Sequence, residues 1–275
     1  MQTWFEMVDW QGIEPWIRIA SFFAVFVVMA SWENIYPARV SAVNRGYRWL
    51  HNLALVSFNI VLVRFALPVA PVAVAVYCDQ HQLGVFNMLD LPLVAGILLS
   101  LVVLDLVLYL QHRAFHRIPW LWRLHRMHHS DQDVDVTTGL RFHPFEIALS
   151  LLIKMLVVLL LGAPVQSVII FEVILSSMAV FNHANISLPQ KMELWLRRVL
   201  VTPDMHRIHH SVDLRETHTN FGFNLSCWDY LFGSYCSFAR TPLQVGVRGL
   251  LQHSEQRIDK LLTQPFRQAG PIIDE

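Results

Sequence analysis

Eight histidines of this sequence fall into three short clusters whose spacing suits metal binding. The first cluster is an HxxxH pair, and the second and third are each an HxxHH run. Histidines three or four positions apart lie on the same face of a helix, where their imidazoles can share a ligand. Neutral imidazole is the commonest protein ligand for metals such as iron, zinc, copper and nickel. The eight residues are His112, His116, His125, His128, His129, His206, His209 and His210.

The number of imidazoles predicts two metal ions rather than one. A four-coordinate ion takes about four ligands, so eight imidazoles exceed the needs of one ion and suit a pair. The competing interpretation is that these histidines are ordinary core or surface residues, which is reasonable for any one of them. It is a poor account of an i,i+4 pair followed by two copies of HxxHH. We therefore interpret the three clusters as one metal centre.

The composition is that of a membrane protein. The 275 residues are 54% hydrophobic and only 15% charged, against about 25% charged in soluble domains. The formal net charge is zero, which gives no indication of nucleic-acid binding. The cysteines, Cys78, Cys227 and Cys236, form no CxxC motif, so we expect reduced thiols. No basic n-region precedes the first apolar segment, so we expect that segment to remain as an anchor.

Four apolar blocks predict an all-α, polytopic membrane helical bundle with about four transmembrane segments. The blocks cover approximately residues 19–32, 53–77, 91–110 and 147–181. Pro68 and Pro71 predict a kink in the second block. Arg64 lies inside the same block, where a charged side chain must pair, snorkel or face the bundle interior. Gly162 and Pro164 split the fourth block, which predicts a helical hairpin that either spans the membrane or re-enters it.

The basic residues that flank these blocks predict which side of the membrane holds the histidines. The segment before the first span is acidic, the loop after it carries Arg39, Arg45 and Arg48, and the loop 78–90 contains no lysine or arginine. Short loops rich in lysine and arginine stay in the cytoplasm. We therefore expect an outside N-terminus and a cytoplasmic, histidine-rich helical cap. The hairpin returns the third cluster to the same side as the first two.

Polar residues near the clusters are candidates for orienting the metal ligands. Asp105 shares a helical stripe with His112 and His116, so its carboxylate could accept a hydrogen bond from a ligand imidazole or from another helix. His143, in RFHPFE, is either an extra ligand or a pocket residue, and we favour the pocket. His183 follows the hairpin and, from the residues alone, is either a ligand or a packed core histidine. The other candidates for orienting the ligands are Glu146, Glu216, Asn220 and Asp229.

The histidine motifs also carry a family resemblance. HRAFH, HRMHH and HRIHH, in that order, resemble the HxxxH, HxxHH and HxxHH boxes of the fatty acid hydroxylase / sterol desaturase superfamily, and RFHPFE, FNHANI, TNFG and WDYLFGSY resemble its accessory stretches. The similarity covers roughly residues 101–235. It implies a helical integral-membrane fold with two iron ions, and it implies that His183 is a metal ligand. The sequence departs from the family where an acid is expected at His218, which makes His218 a candidate for approaching the metals.

The resulting prediction is a membrane-bound di-iron oxygenase that uses O2 and outside electrons to hydroxylate or desaturate a lipid, sterol or fatty acyl C–H bond. No motif separates hydroxylation from desaturation or ether cleavage. No GxGxxG or P-loop motif appears, so we expect a separate electron-donor protein and no built-in nicotinamide or flavin site. We divide the chain into N-terminal membrane anchor spans (1–100), a di-iron domain (101–236) and a cytoplasmic C-terminal tail (237–275).

Two other functions fit parts of the sequence. A bis-histidine haem protein that passes electrons needs only two to four separated helical histidines, which the HxxHH doublets exceed. A metal transporter places its ligands near the bilayer midplane inside crossing helices, whereas these clusters lie at helix ends and in polar segments. A Soret band would identify the haem protein, and metal flux in vesicles would identify the transporter.

Overall fold

Helices make up most of the described chain, and the longest of them are apolar. The computed structural model describes residues 9–41, 43–240 and 242–268, and the regular secondary structure within them is helical. The first eight helices are α1 (Trp10–Ile35), α2 (Arg45–Ala66), α3 (Pro71–His81), α4 (Val85–Met88), α5 (Leu93–Arg117), α6 (Pro119–His129), α7 (Pro144–Leu161) and α8 (Val165–His183). The shorter ones that follow are α9 (Gln190–Leu196), α10 (Pro203–His209), α11 (Leu214–Thr217), α12 (Cys227–Leu231) and α13 (Ile258–Thr263).

Five stretches of the described chain are long and apolar enough to cross a membrane, judged by length and composition. They are residues 12–35, 45–88, 93–117, 144–161 and 165–183. The predicted all-α, polytopic bundle is therefore confirmed, and the predicted hairpin supplies two of the five stretches. These apolar helices indicate an integral membrane protein.

Glycine and proline residues set the breaks between the long helices. The kink predicted at Pro68 and Pro71 is a four-residue interruption, because α2 ends at Ala66 and α3 begins at Pro71. Gly162 ends α7 with a φ of +65°, and a Cβ there would lie 2.3 Å from the carbonyl oxygen of Leu83. Only glycine fits this left-handed conformation against a neighbouring backbone.

The long helices bring their histidine-bearing ends to one end of the bundle. Helix α8 packs along α1 and also contacts α3, α5 and α10. At the opposite end from the histidines, an apolar core includes Val72, Leu104, Val158, Val168 and Phe171. This core joins α3, α5, α7 and α8 into one frame. The frame fixes the ends of α5 and α8, which carry histidines.

The C-terminal segment is folded against the histidine-bearing helix α6. Leu261 of α13 packs with Leu55 and Met127 in a small buried core, and the Ser130 hydroxyl donates to Gln264 Oε1 at 3.0 Å. The part of the predicted tail from 253 to 267 thus packs on the histidine cap, because apolar and amide side chains attach it there. Residues 269–275 of the predicted tail lie outside the described residues.

Candidate metal centre

Nine histidines converge in two neighbouring groups, and no member is more than 6% exposed. Within each group, one ring nitrogen from every histidine lies within 4.8 Å of those of the others. The five-histidine group contains His112, His116, His125, His129 and His209. The four-histidine group contains His128, His183, His206 and His210. The structure thus brings together the same nine residues that the clusters and the resemblance predict as ligands.

Each HxxHH run divides its imidazoles between the two groups. In α6, His125 and His129 lie one turn apart and enter the five-histidine group, while His128 enters the four-histidine group. Adjacent residues point about 100° apart around a helix, so neighbouring histidines can serve two sites. The run at the end of α10 divides in the opposite sense, sending His206 and His210 to the four-histidine group.

Prolines position the two short helices that carry these runs. Pro119 starts α6 directly after α5 ends, which folds α6 back toward the HxxxH pair. Pro203 starts α10 in the same first-turn position, where a missing N–H is tolerated. The Thr202 side chain caps α10 by accepting a hydrogen bond from the Met205 N–H. Both runs consequently lie at the C-terminal ends of short, well-started helices.

Ring nitrogens face each other across both groups at hydrogen-bond distance. In the five-histidine group, His112 Nε2 lies 3.1 Å from His125 Nε2 and 3.1 Å from His209 Nε2. In the four-histidine group, His183 Nε2 lies 2.8 Å from His206 Nε2 and 3.1 Å from His128 Nε2. A neutral imidazole has one donor and one acceptor nitrogen, so a ring of facing nitrogens cannot all be paired with each other.

Unpaired ring nitrogens show that this donor set fits bound metal ions. Among the described residues, both nitrogens of buried His116 have no hydrogen-bond partner, although buried polar atoms are normally paired. A cation inside each group would satisfy the convergent nitrogens together. The two groups touch through His129 and His210, whose rings stack with centroids 4.3 Å apart. The residues therefore fit a pair of neighbouring ions.

Burial keeps five of the nine imidazoles neutral, as metal ligation requires. Among histidines outside the membrane-spanning stretches, burial and the neighbouring imidazoles hold the pKa well below the usual value of 6.5. This lowering of the pKa applies to His128, His129, His206, His209 and His210. These five imidazoles can thus bind cations at neutral pH without first losing protons.

The second ring nitrogen of five histidines is held by a neighbouring oxygen, which fixes the ring orientation. His125 Nδ1 lies 2.6 Å from Glu146 Oε1, the one carboxylate that bonds to a member of either group within the described residues. The other four rings meet backbone carbonyls. These pairs are His112 with Phe221 at 2.8 Å, His209 with Thr219 at 2.7 Å, His128 with Arg141 at 3.1 Å and His183 with Ala179 at 2.6 Å.

The other polar residues predicted to orient ligands form their hydrogen bonds with groups other than the imidazoles. The Asp105 carboxylate accepts hydrogen bonds from Asn224 and Trp228, at 2.8 and 2.7 Å, so it corresponds to the interhelical alternative. The Asn220 side-chain amide donates to the carbonyls of Met205 and Cys236, which holds the loop against α10. Glu216 accepts the backbone N–H of Arg240.

Two of the histidines outside both groups, His143 and His218, were candidates from the sequence. His143 caps α7, where its Nδ1 accepts the Phe145 N–H, and its Nε2 lies 3.2 Å from the Leu262 carbonyl. It does not line the cavity described below, so the structure places it at a helix end rather than in the pocket that we expected. The reason is Pro144, which starts α7 and leaves His143 at the cap. The His218 ring is 5.6 Å from the His116 ring, measured between centroids.

Asp229, which the sequence offers together with Glu216 and Asn220 as a polar group that could orient a ligand, supports one of the rings through the backbone. Its carboxylate accepts the N–H groups of Phe221 and Gly222, both at 2.8 Å. Asp229 thereby holds the Phe221 carbonyl against His112. The motifs TNFG and WDYLFGSY contain these residues, but their spacing gives no sign that one segment supports the other.

A mostly apolar cavity of about 770 Å³ extends from the histidines into the helical bundle. The histidines at its inner end are His112, His125, His128 and His206. Its walls come from α1, α2, α5, α7 and α8, and include Phe22, Val56, Ile60, Val63, Leu108 and Leu151. The cavity therefore gives an apolar molecule direct access to imidazoles of both groups.

Comparison with known proteins places this arrangement in a family. The sequence profile described as fatty acid hydroxylase matches residues 97–234. The ornithine lipid hydroxylase OlsE of Rhizobium tropici is 30% identical over 180 residues, covering 65% of this chain and 53% of that protein. Human alkylglycerol monooxygenase is 25% identical over 136 residues, 48% of this chain and 28% of that protein. Human cholesterol 25-hydroxylase is 24% identical over 147 residues, 52% of each chain.

The matched region spans about half or less of the length of each of these relatives. No solved structure matches the chain with statistical significance. The family profile nevertheless covers half of the chain and includes all nine grouped histidines. The motifs, the buried histidine groups and the profile agree, and this protein belongs to the fatty acid hydroxylase family.

Proposed function

We propose that this protein is a membrane-bound di-iron oxygenase that uses O2 and external electrons to hydroxylate or desaturate a C–H bond of a lipid, sterol or fatty acyl substrate. The observation that carries the proposal is the apolar cavity that ends on imidazoles of both histidine groups. A metal centre alone would suit storage or electron transfer. An apolar cavity leading to it favours chemistry on a hydrocarbon.

We propose that the two groups hold one iron each, with the nine histidines as ligands. Imidazole suits iron, and a donor set without carboxylate brings no negative charge to the ions. Two bound irons would supply an oxidant derived from O2, which can attack an inert C–H bond. Glu146 would fix the orientation of His125, and the carbonyls of Phe221, Thr219, Arg141 and Ala179 would orient four other rings.

The cavity walls would position the substrate and exclude water. The side chains of Phe115, Leu108 and Leu151 line the space beside the histidines, so a hydrocarbon there displaces water at little energetic cost. Excluding water protects a reactive centre from side reactions. The substrate would come from the bilayer, because the cavity lies among helices that are apolar enough to be membrane-embedded.

We propose that the histidine cap faces the cytoplasm, where a separate protein would supply electrons. Arg39 lies in the loop between α1 and α2 and Arg45 begins α2, and this distribution of basic residues favours a cytoplasmic position. Residues 101–236 would form the di-iron domain, with residues 1–100 as membrane anchor and 237–275 as a cytoplasmic segment. Because α1 and α2 contribute to the cavity lining, the anchor would also help to bind substrate.

Iron content and oxygen incorporation test this proposal. We expect the purified full chain to contain about two irons, and we expect cells that express it to produce a lipid with one added oxygen from isotopically labelled O2. His128→Ala should remove both the product and part of the iron, whereas His81→Ala, far from the groups in sequence and exposed, should change neither. Less than one metal per chain, with no effect of His128→Ala on the lipid profile, would contradict the proposal.

A further inference from the structure

Away from the histidines, the cavity reaches a cluster of charged side chains. Arg18, Arg64, Lys154 and Glu172 all line it. Glu172 pairs with Lys154, whose Nζ lies 2.5 Å from Oε1, and with Arg18, whose guanidinium lies 3.1 Å from Oε2. Arg18 also pairs with Glu14 at 2.7 Å. Three cations thus meet two carboxylates, which leaves one positive charge without a partner in this cluster.

Arg64 carries that surplus charge. Within the described part of the chain its guanidinium has no hydrogen bond or ion pair, and the residue is exposed. It lies in the last turn of α2 beside Phe65, which is 82% exposed. A guanidinium in such an apolar belt pairs, snorkels to the interface or faces the bundle interior. Because Arg64 lines the cavity, an anion bound there would supply the partner that the described residues do not.

Asn59 is a polar residue of the cavity wall on the same helix as Arg64. Asn59 is 2% exposed and lines the cavity, and its amide nitrogen donates to the Phe142 carbonyl at 2.8 Å. Its Oδ1 has no partner, although a buried acceptor is normally satisfied. Asn59 lies about 7.5 Å below Arg64 along α2, from the helical rise of 1.5 Å per residue. One elongated occupant could contact both residues.

The helix break beside Arg64 provides a lateral way in. Leu67, Pro68, Val69 and Ala70 separate α2 from α3 and line the same cavity. Pro68 and Val69 are exposed on the outer surface. A lipid that entered between these residues would pass Arg64 before it reached the histidines.

We propose that Arg64 binds the anionic group, a carboxylate or a phosphate, of an amphipathic lipid substrate, with Arg18 and Lys154 adding to the positive field. This inference rests on the proposed function, because it names the class of substrate that the same cavity takes. Glu146, beside His125, and Lys154 are eight residues apart on α7, which corresponds to about 12 Å. Lys154 therefore adds its positive charge to the cavity about 12 Å along α7 from the carboxylate beside the five-histidine group.

A binding experiment that does not depend on catalysis tests the inference. The full chain is purified in an uncharged maltoside detergent, and a fluorescent polyene carboxylic acid is used as the probe. Competitors are a saturated fatty acid, an alkyl phosphate, the fatty alcohol of matched chain length, and inorganic phosphate. The variants are Arg64→Gln and Arg64→Lys, with Arg198→Gln as a control at an exposed arginine that does not line the cavity.

We expect the fatty acid and the alkyl phosphate to bind the wild type about tenfold more tightly than the alcohol, in line with one charge-assisted hydrogen-bonded pair. Arg64→Gln should weaken both anions to the level of the alcohol while leaving alcohol binding intact, which also shows that the cavity is folded. Arg64→Lys should retain part of the preference, and Arg198→Gln should retain all of it. Inorganic phosphate should not compete, because it lacks the apolar chain.

Equal binding of anions and alcohol by the wild type would overturn the inference, as would unchanged anion binding in Arg64→Gln. Competition by inorganic phosphate as strong as that of the alkyl phosphate would show a site for the free anion and would overturn the lipid assignment. Iron content, measured on the same samples, separates the two proposals. A wild type that shows no anion preference but contains iron and oxidises lipid refutes this inference alone, whereas a wild type without iron refutes the proposed function.

Discussion

The two histidine groups are neighbours, yet they are supported in different ways. In the five-histidine group, a carboxylate contacts a ring directly, since Glu146 Oε1 lies 2.6 Å from His125 Nδ1. In the four-histidine group, the oxygen partners of the rings are backbone carbonyls. Buried charged side chains of the described residues do not contact these rings directly but support the residues that do. The His128 ring meets the carbonyl of Arg141. The Arg141 side chain donates to Ser130 Oγ at 2.7 Å and to Gln256 Oε1 at 2.7 Å.

A buried charge network stands behind the four-histidine group. Arg48 from α2 donates to both carboxylate oxygens of Asp131, at 2.6 and 2.8 Å, and to Asp135 at 2.8 Å. All three residues are at most 5% exposed. Charge-assisted, bidentate pairs of this kind are strong and geometrically specific. The comparison teaches that one group depends on a local contact, while the other depends on the fold of the cap around Asp131.

The largest expected effect comes from removing one ligand from each group in turn. His129 and His210 are matched, because each ends an HxxHH run and their rings stack on each other. His210→Ala leaves three imidazoles in its group, so we expect it to lose about one of two irons and at least about 100-fold in lipid oxidation. His129→Ala leaves four, so we expect it to keep more iron. Iron quantification measures the metal content of both variants. Equal iron losses would refute the prediction that His210→Ala loses more iron than His129→Ala.

The second largest effect is on folding stability. It tests the buried network around Asp131 without changing any histidine. Asp131→Asn removes the partner of a buried arginine, which we expect to lower the free energy of unfolding by about 3–5 kcal/mol. Asp259→Asn is the control, because Asp259 pairs with Arg257 at the surface and should contribute less than about 1 kcal/mol. Denaturant unfolding in mixed micelles measures both changes. Similar values for the two variants would contradict the role given to the network.

The pH dependence of the Asp131 contribution follows from its charge partners. Burial opposes ionisation, but the neighbouring Arg48 and Arg141 outweigh it and hold the pKa of the Asp131 carboxyl well below its usual range. Stability from a carboxyl with a lowered folded pKa is present above the unfolded pKa of about 3.9 and is lost as the pH falls through the folded value. The stability difference between wild type and Asp131→Asn should therefore stay constant from pH 8 to about pH 5 and shrink below about pH 4.

Changing the carboxylate beside the five-histidine group should have a smaller and more local effect. We expect Glu146→Gln to weaken metal binding at this group by about 10- to 100-fold while the other group is unchanged, because His125 loses its charged partner. Glu216→Gln is the matched control, since this buried acid bonds to the Arg240 N–H. A metal titration that detects the two binding steps separately measures the effect of each variant on each histidine group. A loss at both sites would mean that the groups are not independently supported.

The smallest effect on metal binding is expected at Asp105, which the sequence made a candidate partner of a ligand. Asp105→Asn should lower the free energy of unfolding by about 1–2 kcal/mol, because hydrogen bonds to Asn224 and Trp228 are weakened. It should leave metal affinity within about twofold. A loss of affinity comparable to that of Glu146→Gln would show that Asp105 acts on the ligands after all.

The contrast between Asp105 and Glu146 shows where sequence reasoning ends. Both are acids on helices next to histidines, and helical periodicity places Asp105 on the same stripe as His112. Periodicity gives the face of a residue on its own helix but not which neighbour that face meets. The 12-residue segment from Asn220 to Leu231 turns its polar groups toward Asp105, while α7 turns Glu146 toward His125. These contacts depend on residues more than 20 positions apart.

The types and local spacing of the residues were sufficient to predict the helical membrane bundle, the kink near Pro68, and a metal centre built from histidine clusters. Those features depend on interactions within a few turns of one helix, where geometry is nearly fixed. The tertiary structure alone decided how the nine rings divide into five and four, which oxygens orient them, and that Arg64 lines a cavity leading to the histidines. These features require helices that are distant in the chain to meet, and packing sets that geometry.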